Sequence, residues 1–221
     1  YPNEPRDHRE ARAFLAETKD FKRALKKFPR SLVFERLMIK QLARRPNDYL
    51  GSLKVLPKYV LTLHVDAYLS YVFNEALSER LRKLGSLRKV VEGDIIAKCD
   101  AYGNPVRPTF VAKSSSVELK ENETILAFVP ACVRIKSEGF MNELILSIFR
   151  KDGLEPPFKS LESLGLQGRL GLLRQLAFKP RDLSHRVDEG LVLKFTLPKS
   201  SYATVLLREI MKPEDPIAAG F

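Results

Sequence analysis

The chain has 221 residues, 44% of them hydrophobic and 29% charged, proportions that suit a globular fold with a real core and exclude a disordered or fibrous one. No run approaches eighteen uncharged apolar residues, so no membrane-spanning helix is expected. The opening YPNEPRDHREAR lacks the apolar stretch of a signal peptide.

Lys and Arg number 38 against 27 Asp and Glu, a formal net charge of +11. The surplus is local. Residues 1–90 hold 20 basic and 10 acidic side chains, residues 91–190 hold 14 of each, and residues 191–221 hold 4 against 3. A one-sided basic field favours a polyanion by releasing condensed counterions, which makes nucleic acid the leading partner class. The competing reading is a solvated basic helix face. Cys99 and Cys132 stand apart with no CxxC, and His8, His64 and His185 are scattered, so no structural metal is expected. Two buried thiols in a reducing cytoplasm are favoured over a Cys99–Cys132 disulfide.

In chain order, Ala11, Phe14, Leu15, Thr18, Phe21, Leu25 and Phe28 recur at three- and four-residue steps and predict one helix stopped by Pro29. Lys19, Lys22, Arg23, Lys26 and Lys27 lie on its other side. Ser31 is a candidate cap for a second helix, ended by Arg44-Arg45-Pro46, and Asn47 for a short third helix running toward Pro57. The clearest helix covers about Val65 to Leu84, with an apolar stripe through Leu69, Val72, Phe73, Ala76 and Leu81 and Gly85 as a left-handed stop. His64 and Asp66, two residues apart, cannot face each other on one helix. Asp66 reads instead as a carboxylate at a helix start. Tyr68, Tyr71 and Phe73 read as core packing before base stacking.

Strands are predicted over Asp94–Lys98, Val106–Val111 and Thr124–Val129, with Tyr102-Gly103-Asn104-Pro105 as a turn. Helix returns over Phe140–Arg150, and a hinge is expected in Gly165–Gly171. Leu191–Leu197 alternates apolar and polar and predicts a half-buried strand. Ser200 or Ser201 would then cap a helix from Tyr202 to Met211, with Pro213 ending regular structure.

Generic catalytic signatures are missing: no Gly-rich phosphate loop, no GxSxG, no HExxH. Two stretches carry more. His64-Val65-Asp66-Ala67-Tyr68-Leu69-Ser70-Tyr71-Val72-Phe73-Asn74, followed by Leu77-Ser78-Glu79-Arg80, resembles the helix signature of the tRNA pseudouridine synthase D (TruD) family, close to hAYQSylFN..LS.R. Leu197-Pro198-Lys199-Ser200-Ser201-Tyr202-Ala203-Thr204, with Arg208-Glu209, resembles the family's LPxGS[YF]AT..LRE. Between them Gly93-Asp94 matches a GD, and Gly171 with Arg174 a GxxR. Leu69 stands where glutamine is usual and Ser200 where glycine is usual, so a non-glycine residue must make that turn.

The resemblance implies an α+β chain. Residues 1–170 would form the family-specific insertion domain, with a basic helical part (1–90) and a mixed part (91–170). Residues 171–221 would supply the last strand and helix of a pseudouridine-synthase-like catalytic domain. It also implies tRNA as partner, no cofactor, and isomerisation of uridine at tRNA position 13 by an aspartate. That aspartate, its neighbouring lysine and an Asn-Phe-Gly motif precede the matching region, so no catalytic residue is expected among these 221. Tyr1 in place of Met suggests processing or truncation, with numbering that starts inside a longer chain, and the resemblance implies the missing N-terminal catalytic half of the same protein as partner.

By resemblance Tyr202 lines the active site, where its ring would pack on base or ribose; the alternative is a purely structural ring at the strand–helix corner. Phosphate contacts are expected from Lys19, Lys22, Arg23, Lys26, Lys27, Arg44 and Arg45, positioning RNA without reading its sequence. Arg208 is open between a phosphate contact and a carboxylate partner. Three readings compete: an RNA-modifying isomerase, a non-catalytic basic RNA-binding module, and a basic scaffold with no RNA partner.

Overall fold

The computed structural model describes residues 4–134 and 139–220; Tyr1 lies outside them. The elements are α1 (Arg6–Thr18), α2 (Phe21–Lys27), α3 (Val33–Arg44), α4 (Tyr49–Lys54), α5 (Lys58–Leu84), β1 (Ile95–Cys99), β2 (Pro105–Val111), β3 (Glu123–Pro130), α6 (Phe140–Lys151), α7 (Ser160–Ser163), β4 (Gly171–Gln175), β5 (Arg181–Val187), β6 (Leu191–Thr196) and α8 (Ala203–Met211). They fall into two compact units. Residues 1–68 with 158–169 make the first, and residues 69–157 with 170–221 the second. The α5 helix runs through the first boundary, and the chain re-enters the second unit just after Arg169, inside the Gly165–Gly171 stretch.

The first unit is helical. Ala11, Ala24, Phe28 and Ile39 form its buried centre, with Phe14, Leu15, Phe21 and Leu25 packed around them. The single helix expected up to Pro29 is in fact two. Lys19 takes a left-handed backbone (φ 50°) and closes α1, and the Asp20 carboxylate accepts the Arg23 N–H at 3.0 Å to start α2. The apolar period runs in phase across this break, which is why periodicity conceals it.

Two cap assignments also shift. The α3 helix has Leu32 at its cap position with no side-chain bond, while the Ser31 hydroxyl pairs with His8 Nε2 at 3.2 Å. Asp48, not Asn47, caps α4 by accepting the Gly51 N–H at 2.9 Å, and Asn47 is left-handed at φ 72°. The α5 helix begins seven residues before the expected Val65, directly after Pro57, so Asp66 sits inside it. Its carboxylate receives two hydrogen bonds from Arg169, the Nε one at 2.8 Å, tying residues 158–169 to α5. His64 Nδ1 meets the Val60 carbonyl at 2.8 Å.

The second unit is built on an antiparallel sheet in the order β2-β1-β3-β4. The β3 strand is buried along almost its whole length and α6 packs on it through Met141, Leu144, Ile145 and Phe149. From α5, Leu69, Val72, Phe73, Ala76 and Arg80 are buried at three- and four-residue steps, one face of the helix turned into the core. Gly85 ends α5 at φ 73°. The β5 and β6 strands form a separate two-stranded sheet. The alternating Leu191–Leu197 segment is a strand, with Leu193, Phe195, Thr196 and Leu197 part-buried and Leu191, Val192 and Lys194 exposed, and it pairs with the exposed β5. Cys99 and Cys132 are each part-buried, less enclosed than the two buried thiols expected.

Candidate active site

The second unit holds a cavity of about 350 Å³. Phe73, Asn74 and Leu77 reach it from α5, Asn104 from the β1–β2 connection, Pro105 from the start of β2, and Leu173 to Gln175 from β4. The corner from Lys199 to Tyr202 closes it.

Arg174 sits on β4 opposite Ala127 of β3. That register depends on Gly171, which faces Pro130. A Cβ on Gly171 would strike the Val129 carbonyl oxygen and lie 2.8 Å and 2.9 Å from ring carbons of Phe128. Glycine here permits a close approach of two backbones.

The corner after β6 turns at Ser200, whose φ of 63° is left-handed. The expected glycine position is thus occupied by a serine in a glycine-like conformation. Asn104 fixes the same corner: its Oδ1 accepts the Lys199 N–H at 2.7 Å, and its Nδ2 donates to Asp100 Oδ2 at 2.9 Å. Asp100 Oδ1 accepts the Tyr102 and Asn104 N–H groups at 2.8 Å and 2.9 Å. These bonds, the Asn104 side chain first, hold the Asp100 carboxyl below the usual carboxylate range. Tyr202, rather than Ser200 or Ser201, occupies the cap position of α8, and no side chain caps that helix.

The arrangement brings one cation to two rings. The Arg174 guanidinium carbon lies 5.2 Å from the Phe73 ring centroid and 5.0 Å from that of Tyr202, within cation–π range of both. Its Nη2 donates to the Ser200 carbonyl at 3.4 Å. Tyr202 remains 54% exposed. Among the described residues no carboxylate lines the cavity, and no His/Cys/Asp/Glu cluster could hold a metal. Rings, amides and fixed positive charge equip the site to hold a planar, anionic ligand.

The C-terminal motif points to Tyr202, which lines this cavity, while the sequence assigns Arg174 no role and Phe73 only a core position. Phe73 is both: buried, with its ring turned to the guanidinium. Asn104 was read only as a turn residue. An asparagine next to proline in a turn gave no signal of its distant partner, the Lys199 backbone.

The expected RNA-contacting residues Lys19, Lys22, Arg23, Lys26, Lys27, Arg44 and Arg45 are all exposed and all in the first unit. Arg23 is 3.8 Å from Asp20, and Lys27 Nζ stands 4.7 Å over the Phe14 ring. Lys19, Lys22, Lys26, Arg44 and Arg45 have no ion-pair partner among the described residues. Arg208 belongs to the second unit, on α8, with Glu209 at 3.8 Å.

Comparison with known proteins agrees with the motif reading. The family model for tRNA pseudouridine synthase D (TruD) matches residues 1–210. A protein of Pyrobaculum neutrophilum named "Probable tRNA pseudouridine synthase D" is 34% identical over 221 residues, covering 100% of this chain and 50% of its own length. A protein of the same name from Methanosarcina barkeri is 34% identical over 98% of this chain and 52% of its own. The crystal structure assigned as a TruD from Methanosarcina mazei superposes with a TM-score of 0.81 at 30% identity, over 98% of this chain and 53% of that one. The mixed α and antiparallel-β architecture is that of these pseudouridine synthases, and this chain belongs to the TruD family. It spans about half the length of the curated relatives it matches.

Proposed function

We propose that this chain is the base-holding and RNA-gripping part of a tRNA pseudouridine synthase, which isomerises uridine to pseudouridine at tRNA position 13 in the cytoplasm. The reaction breaks the N1–C1′ bond, turns the uracil, and joins C5 to C1′. The C5 proton leaves to solvent and N1 gains one, so nothing is oxidised or reduced and no cofactor is consumed. A base handled this way must first leave its stack.

The observation that carries this reading is the convergence of separate family motifs on one cavity. Phe73 and Asn74 come from the helix signature, Arg174 from the GxxR, and Lys199 to Tyr202 from the C-terminal signature. Aromatic faces suit a uracil, and Arg174 suits its ribose phosphate. The nucleophilic aspartate is supplied by a segment outside these 221 residues, and residues 171–221 contribute the last strand and helix of the domain that holds it. Residues 1–170 act as the insertion domain, whose basic helices meet phosphates.

The test is tritium release from C5-tritiated uridine in tRNA, using the polypeptide of the natural reading frame. Turnover is expected, with Tyr202→Ala lowering kcat at least tenfold while tRNA retention is kept, because a positioning ring is lost and the phosphate contacts are not. Retention of tRNA with background release from the natural polypeptide would instead establish the non-catalytic RNA-binding module, which the carboxylate-free cavity favours for this chain alone.

A further inference from the structure

We propose that Phe34, Tyr59 and Leu63, an exposed apolar patch on the first unit, form a stacking platform for an unpaired base of an RNA strand. This rests on the reading of the protein as an RNA binder and adds how the RNA is gripped.

Tyr59 and Leu63 lie one helical turn apart on α5 and are 67% and 65% exposed. Phe34 on α3 meets the Tyr59 ring edge-on, with centroids 6.3 Å apart and planes at 77°. The phenylalanine braces one side of a ring whose remaining surface is open to solvent. Side-by-side exposure of large apolar groups is unfavourable and marks a place where something docks.

Charge identifies the occupant. The first unit holds 17 basic and 9 acidic residues, so +8 of the net +11 belongs to it. Exposed cations lie close to the platform in sequence: Lys54 and Lys58 precede Tyr59, and Arg30 precedes Phe34 by four residues. An aromatic face among cations matches the way proteins take single-stranded nucleic acid, with phosphates on the cations and bases on the ring. A perfect duplex keeps its bases stacked on one another and has no free face to offer. The ligand class is therefore a looped or single-stranded RNA segment.

The experiment measures binding of the full chain to an RNA hairpin carrying 2-aminopurine in an unpaired loop, and to a blunt RNA duplex of equal length. Expected results are tighter binding of the hairpin and quenching of the loop fluorophore. Tyr59→Ala should weaken hairpin binding about tenfold without changing the slope of log affinity against log salt. Tyr59→Phe should restore it, and Leu63→Ser should give a smaller loss. Circular dichroism confirms that these surface variants fold.

Equal affinities of Tyr59→Ala and the unaltered chain for the hairpin would overturn the platform while leaving RNA binding intact. So would equal losses on hairpin and duplex. A change in the sedimentation of the RNA-free protein on Tyr59→Ala would show that the patch is covered by a second copy, which also overturns it. Failure of the unaltered chain to retain any RNA at low salt would overturn the RNA reading itself.

Discussion

Arg80 and Asp94 form a buried two-point ion pair, Nη1 to Oδ1 at 2.7 Å and Nη2 to Oδ2 at 2.5 Å, with both side chains out of solvent. The two residues come from different family motifs, the end of the helix signature and the GD. The guanidinium also donates to the Lys89 carbonyl at 2.8 Å, and Asp94 Oδ2 accepts the Val91 N–H at 2.9 Å. Arg80, at the end of the helix signature, therefore fixes the chain between α5 and β1. Removing one partner leaves an uncompensated charge in the core, so Arg80→Ala and Asp94→Asn are each expected to cost about 3–5 kcal/mol. Arg80→Lys should recover little, since lysine lacks the fork. Urea unfolding of each variant measures this.

Gly171→Ala places a methyl group against the Val129 carbonyl and the Phe128 ring. The backbone atom cannot rotate away, so β4 must separate from β3 at its first residue. A stability loss of about 2–3 kcal/mol is expected, with faster amide exchange in Leu172 and Leu173. The same shift would carry Arg174 away from Phe73 and Tyr202, so under the proposed function uridine isomerisation by the natural polypeptide should fall with it.

Ser200→Gly tests the opposite case. The left-handed φ of 63° costs a residue with a Cβ, and glycine relieves that cost. A gain of about 0.5–1 kcal/mol is expected in thermal or urea unfolding. Ser200→Val at the same site should destabilise.

Asp100 makes stability depend on acid. Its carboxyl is held below the usual range by the Asn104 side chain and backbone bonds. A group with a lowered folded-state pKa contributes stability above its unfolded value, and that contribution disappears as pH falls through the folded value. The melting-temperature gap between the unaltered chain and Asp100→Asn should therefore be constant near neutrality and narrow below about pH 4. A gap that stays constant down to pH 3 would contradict the assignment.

The family and its core helix were legible because they rest on side chains that pack locally: Leu69, Val72, Phe73 and Ala76 repeat at the helical period and are buried as that period requires. The break at Lys19 was not, because Phe14, Phe21 and Leu25 stay in step across it. Ser31 and Asn47 were chosen over Leu32 and Asp48 because adjacent residues compete for one cap on similar chemistry. The β5 strand, Arg181–Val187, has no apolar alternation; it is a strand because β6 pairs with it. Of the site, Tyr202 was readable from its motif, whereas the meeting of Arg174 with Phe73 needed the long-range register of β3 with β4. No local pattern encodes that register.

The pair formed by Asp66 and Arg169 spans 103 positions of sequence. On the ribosome, at roughly 5–20 residues per second, Asp66 would wait on the order of 5–20 s for its partner to be made. The helical unit thus begins before the β1–β3 and α6 segment and closes only after it. Its closing segment arrives only after the strands β1 to β3 and α6 have had time to assemble.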